Sequence, residues 1–184
     1  MQTVKIDRTK SWTVEDYLLL GEANTPCQLI NGELIMSPSP SPYHQRISRM
    51  LFNKLYNASI TVGEVFYAPI DLYIDNKNVF QPDLVFILSK NQSIITERGI
   101  EGTPDLIIEI ISPSNVFTDR NQKKVAYQKI GVNEYWIVDP ANKTLEIYKH
   151  DQADQNTPTL YVAGEGEVTS GVLPNLKFDL KEIF

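Results

Sequence analysis

The chain has 184 residues, 42% of them hydrophobic and 22% charged, with a net charge of −6 and a single cysteine. That size suits one domain spanning residues 1–184, and the composition excludes long disorder. The lone Cys27 excludes an internal disulfide, and the negative balance excludes a protein that coats nucleic acid without selectivity, because phosphate binding draws on Lys and Arg.

Thr13-Val14-Glu15-Asp16 has the form of a capping box with Asp in the usual Glu position, so a short helix through Leu20, ended by Gly21, is expected. Asn31-Gly32 between Cys27–Ile30 and Glu33–Met36 is a tight-hairpin signal, and places Glu33 just beyond the turn. Ser37 to Pro42 alternates Ser and Pro, which favours an extended connector. Tyr43, Ile47, Met50, Leu51, Leu55 and Ala58 then recur at helical spacing, with His44 in the first turn of that helix. Extended chain broken near Pro69 leads to the turn Asp75–Asn78 and to Val79–Leu88, a strongly apolar strand with Asp83 inside it. Ser89 to Thr103 reads as a loop with about one helical turn.

Pro104 to Ser114 is the most apolar run of the chain, rich in β-branched residues, and it carries Glu109 at its centre. A helix is expected from about Asp119 to Ile130, with Gly131 beyond its end. Its periodicity puts Lys123, Ala126, Tyr127 and Ile130 on one face, leaning towards a sheet, and Asn121, Lys124 and Gln128 on a wetter side. Glu134–Asp139 and Thr144–Tyr148 read as strands, and a helix between two apolar strands predicts a crossover joining parallel neighbours. The tail, punctuated by Gly164, Gly166 and Gly171, holds short strands around Leu160–Ala163 and Glu167–Val172. With a polar amino terminus and no long apolar segment, neither a signal peptide nor a membrane span is expected, and the cytosol is the expected compartment. Two stretches are locally basic, residues 44–54 and 119–129, each with a net charge of +3. They either grip a phosphate backbone or are solvated helix faces.

An ionised, unpaired Glu109 in a strand buried on both faces would cost several kcal/mol, so it is neutral, paired or bound to a cation. Alternation along strands puts Glu109 with Ile107 and Ile111, and Asp83 with Val85 and Ile87. If the two strands are neighbours, both acids meet at one end of the sheet. A hard divalent ion, Mg2+ before Mn2+, is the usual way to hold two such carboxylates, and Lys123 would then stabilise developing negative charge or help to deprotonate water.

Pro82-Asp83 followed by Glu109-Ile110-Ile111 on the next strand resembles the PD-(D/E)XK nuclease superfamily. Within it, Gly32-Glu33-Leu34, His44, Pro104 to Ser114, Asp119 with Lys123 and Tyr127, and Gly131 to Pro140 resemble the Uma-two type of restriction endonuclease. The resemblance implies an α/β, restriction endonuclease-like core, a central mixed β-sheet flanked by helices with added β-hairpins. It implies a divalent metal held by Asp83, Glu109 and the main-chain carbonyl of Ile110, with Lys123 as the catalytic cation and Glu33 and His44 in auxiliary roles. The expected activity is Mg2+-dependent hydrolysis of DNA phosphodiesters, and a homodimer is expected. Ile111 occupies the place of the superfamily's lysine, and the family pattern supplies Lys123 from the following helix instead. Two rival readings remain: a catalytically silent member that binds nucleic acid or protein, and a purely structural triad of Asp83, Glu109 and Lys123.

Overall fold

The structure is a computed structural model, and it describes residues 10–21, 27–36, 38–113 and 115–184. Ser37 of the Ser-Pro connector, Ser114 of the apolar motif and the polar amino terminus up to residue 9 lie outside the described residues. Helix α1 (Val14–Leu18) starts with the anticipated capping box, the Thr13 hydroxyl accepting from the Asp16 N–H while the Asp16 carboxylate accepts from the Thr13 N–H. The hairpin of β1 (Cys27–Ile30) and β2 (Glu33–Met36) turns through Asn31 (φ 53°) and Gly32 (φ 79°), the two positive angles that Asn-Gly accommodates at low cost.

Helix α2 (Pro42–Ser59) is capped by the Ser41 hydroxyl, with Pro42 in its first turn where no N–H is needed. It buries Ile47, Leu51 and Leu55, each contributing about 1.5–3 kcal/mol of apolar burial. After it come β3 (Gly63–Tyr67), β4 (Leu72–Asp75), β5 (Asn78–Phe80), β6 (Leu84–Leu88), β7 (Ile95–Thr96), β8 (Gly99–Glu101) and β9 (Leu106–Ile110). The region expected to be a loop, Ser89–Thr103, holds a 3-10 turn over Ser89–Ile94 and the small β7–β8 hairpin.

The central sheet runs β12-β11-β10-β9-β6-β3, where β10 is Glu134–Asp139, β11 Thr144–Lys149 and β12 Leu160–Ala163. It is mixed: β9 and β10 are parallel, joined through helix α3 (Lys124–Ile130), and the other pairs are antiparallel. One face packs on α2 and on the tail, including β13 (Glu167–Thr169) and β14 (Lys177–Asp179). The other packs on α3 and on residues of a second six-stranded sheet, β2-β1-β5-β4-β8-β7. The one hairpin that the sequence predicts here, Cys27–Met36, is thus part of a continuous second layer, built by non-local pairings such as Leu29 with Val79 and Leu72 with Ile100.

The chain between β9 and α3 departs from the expected regular helix. Thr118–Lys123 forms a π-helical turn before the α-helix resumes at Lys124. The wider turn shifts the helical phase, and both Lys123 and Lys124 are buried. Lys124 is thus not the solvated residue that its spacing suggested: its ammonium sits 3.6 Å from the centre of the Tyr148 ring and donates to the Asn156 carbonyl. Gln128 also donates to the carbonyl of Gln155, so the segment after β11 covers the side expected to be wet.

Candidate active site

Strands β6 and β9 are antiparallel neighbours, with Leu84 opposite Ile108. One step further along that register, Asp83 stands opposite Glu109, so both carboxylates share the face of Val85, Ile107 and Ile111 at one end of the sheet. Asp83 Oδ2 accepts the Ile110 N–H at 2.7 Å, which stitches the first acid to the strand carrying the second. His44, from the first turn of α2, reaches the same place. Its Nε2–H donates to the Ile110 carbonyl at 3.0 Å and lies 3.4 Å from Asp83 Oδ2.

The π-helical turn supplies the cation. Lys123 Nζ donates to Glu109 Oε1 at 2.8 Å and lies 3.2 Å from Asp119 Oδ1, all three side chains being almost fully buried. The Tyr127 hydroxyl donates to the same Glu109 oxygen at 2.7 Å. Two ties hold the turn: the Tyr135 hydroxyl donates to the Asp119 main-chain carbonyl, and Arg120 bridges to Glu146 at 2.8 Å and Asp139 at 3.5 Å. Ile111, where the superfamily motif has its lysine, is buried in the apolar cluster with Tyr127 and Val132.

The electrostatics follow from burial. Desolvation pushes Glu109 up to about 8, against the pull of the Lys123 charge. Desolvation likewise raises Asp119, although Lys123 opposes it. For Lys123 burial works to lower the pKa, but Glu109 and Asp119 outweigh it and the ammonium is held above its ordinary value. His44 is similar: burial lowers it, and Asp83 with the Ile110 carbonyl raises it by more.

The oxygens expected to hold a metal can be tested against this arrangement. Both hydrogen bonds to Glu109 fall on Oε1, and both contacts to Asp83 fall on Oδ2, so each carboxylate keeps an oxygen that neither interaction uses. The Ile110 carbonyl has a second lone pair beside the one facing His44. Among the described residues no group of three or more His, Cys, Asp or Glu could hold an ion by itself. Two carboxylates and a carbonyl are a hard oxygen set of the size Mg2+ takes when water and substrate phosphate complete its shell, so the residues fit that ion. One buried atom, His44 Nδ1, has no hydrogen-bond partner among the described residues, whereas Asp119 Oδ1 is met by the Lys123 ammonium at 3.2 Å.

The structure therefore brings together Asp83, Glu109, Ile110, Lys123 and His44. It does not bring in Glu33, which is exposed at the start of β2 in the second sheet and makes none of the site's hydrogen bonds or ion pairs among the described residues. Asp119 and Arg120 are the residues whose part was missed. In the sequence Asp119 stands only in the motif shared with Lys123 and Tyr127, with no role of its own, and Arg120 only in a basic run. The Asp119–Lys123 spacing of four was the available signal.

The fold and this sheet-end cluster define the restriction endonuclease-like class of α/β proteins. The chain belongs to the Uma2 family, described as "Putative restriction endonuclease", whose family model matches residues 14–181. It is 28% identical over 148 residues to the uncharacterized protein sll1609 of Synechocystis sp., covering 77% of this chain and 82% of that protein. The crystal structure of a putative nuclease belonging to DUF820 from Anabaena variabilis matches with a TM-score of 0.75 at 20% identity, over 94% of this chain and 97% of that one. That likeness carries the fold.

Proposed function

We propose that this chain is a Mg2+- or Mn2+-dependent endonuclease that hydrolyses DNA phosphodiester bonds. The observation that carries the reading is the delivery of Lys123 from the π-helical turn to Glu109, opposite Asp83, at the sheet end where the motif lysine is replaced by Ile111. A bound divalent ion would supply charge neutralisation on the phosphate and a lowered pKa for water. Asp83, Glu109 and the Ile110 carbonyl would hold it. Lys123, kept protonated by Glu109 and Asp119, supplies positive charge where the pentavalent phosphate builds up negative charge. That charge state favours Lys123 as an electrostatic stabiliser over a group that takes a proton from water. His44 orients Asp83 and the Ile110 carbonyl, and Tyr127 fixes the Glu109 carboxyl.

The test is cleavage of supercoiled and linear DNA by the purified chain with Mg2+, Mn2+ or EDTA. Asp83→Asn and Glu109→Gln should each abolish metal-dependent cleavage with unchanged circular dichroism; cleavage at the wild-type rate by either would refute the assignment. One observation favours a second reading. Glu109 is already met by a cation and a hydroxyl, which suits a silent fold member that binds nucleic acid or protein without an ion. Calorimetric titration with Mn2+ separates the two, because only the nuclease has a use for the metal. A homodimer, in which two sites would address two strands, is part of the proposal and is read by sedimentation equilibrium.

A further inference from the structure

The two basic stretches have different fates in the folded chain. In the second, Arg120 is spent on Glu146 and Asp139, Lys123 on Glu109 and Asp119, and Lys124 on the face of Tyr148. Of the cations of that run, only Lys129 is exposed. In the first, Arg46 and Arg49 are exposed on α2, and among the described residues neither has an ion pair.

The rest of that helix face agrees in character. Arg46, Arg49, Asn53 and Asn57 recur at spacings of three and four, and all four are exposed. The helix has eighteen residues and no Asp or Glu, in a chain whose net charge is −6. It starts at the site: His44, in its first turn, touches the Ile110 carbonyl and Asp83. From His44 the axial rise is about 3 Å to Arg46 and about 7.5 Å to Arg49, and at about 100° per residue the two arginines stand about 160° and 140° around the axis from it, on the outer side of the same turns; about 4.5 Å apart along the axis, they match consecutive phosphates of one strand, which are about 3.4 Å apart along a duplex axis.

We propose that the exposed face of α2, through Arg46 and Arg49, tracks the phosphate backbone of the polynucleotide whose scissile bond lies at Asp83 and Glu109. The inference rests on the nuclease reading and adds the substrate-holding surface to it. Such contacts position the strand and carry no base information, so this grip is independent of sequence. It also accounts for how an acidic protein holds a polyanion, through one acid-free helix leading out of the site while the remaining surface repels.

The experiment measures binding of labelled 30-mer duplex and single-stranded DNA by fluorescence anisotropy in EDTA, from 50 to 200 mM salt. Wild type, R46A/R49A and K90A/K129A are compared, the last removing the same charge from exposed positions elsewhere. Loss of two phosphate contacts should lower the salt slope by about 1.8 on duplex and about 1.4 on single strands, so the affinity gap to wild type should narrow roughly tenfold across that range on duplex. K90A/K129A should follow wild type. If wild type binds DNA and R46A/R49A binds it no more weakly than K90A/K129A, the role of α2 is overturned and the nuclease reading stands. If wild type neither binds nor cleaves DNA, both fall together.

Discussion

Replacing Lys123 by Met removes the ammonium while keeping an unbranched apolar stem in a site where the side chain is only 3% exposed. Stripping one partner from a buried ion pair costs about 3–5 kcal/mol when the other stays ionised. Glu109 has a way out, because desolvation already holds it up at about 8 and loss of Lys123 removes the main influence pulling it down. At pH 6 the variant therefore buries a neutral Glu109 still bonded to Tyr127, and its stability should stay close to wild type. Above that pH, keeping Glu109 protonated costs up to about 1.4 kcal/mol per unit only once its own raised pKa is passed. Cleavage responds differently, since removing a preorganised charge from a phosphoryl transition state costs about 2.7–4 kcal/mol, or 10²–10³ in rate. The assay is single-turnover DNA cleavage at saturating Mg2+, beside urea unfolding at pH 6 and pH 8. A Lys123→Met chain that cleaves within threefold of wild type would refute the assigned role of the lysine. One that is unfolded at pH 6 would refute the charge states assigned to the pair.

The wild-type chain without metal should lose stability as pH rises from about 4.5 towards about 8. A carboxyl whose folded pKa is raised stabilises the fold while protonated, and that contribution disappears as pH passes the folded value, with a slope of at most about 1.4 kcal/mol per unit. Thermal melts from pH 5 to pH 8 should therefore fall for wild type and flatten for Glu109→Gln, with a residual slope from Asp119, which is raised in the same direction. Binding of Mn2+ should tighten over that interval and release a proton, read by calorimetry in two buffers of different ionisation enthalpy. Glu33→Gln, outside the cluster, should leave cleavage within about twofold of wild type in the same single-turnover assay.

The strands and their faces were legible because their signals are local. Asn31-Gly32 fixes a turn by its positive angles, and the alternation around Asp83 and Glu109 fixes which face each acid takes. The second sheet was not legible, because pairings such as Leu72 with Ile100 join an extended segment to one whose sequence reads only as a loop. The phase of the segment from Thr118 to Ile130 was half legible. A regular helix correctly turned Lys123 and Tyr127 inward, but a π-helical turn is invisible to a 3.6-residue period, so Lys124 was given to solvent.

That turn is what allows Ile111 to stand where a lysine would be. On β9 a residue two beyond Glu109 shares its face, and here that residue, Ile111, is buried in the apolar cluster with Tyr127, Val132 and Tyr135. Brought in from the crossover instead, the ammonium arrives between two carboxylates and beside a tyrosine hydroxyl that shares one of them. The carboxylates and the lysine are thereby separated into two elements held by different ties. Asp83 and Glu109 are set by the β6–β9 register, and Lys123 is set by Arg120 and Tyr135 gripping the turn. Loosening the turn with Arg120→Ala should accordingly lower the single-turnover rate while leaving Mn2+ affinity unchanged, with partial recovery in Arg120→Lys. An equal loss of both would mean that the carboxylates and the lysine are not positioned independently.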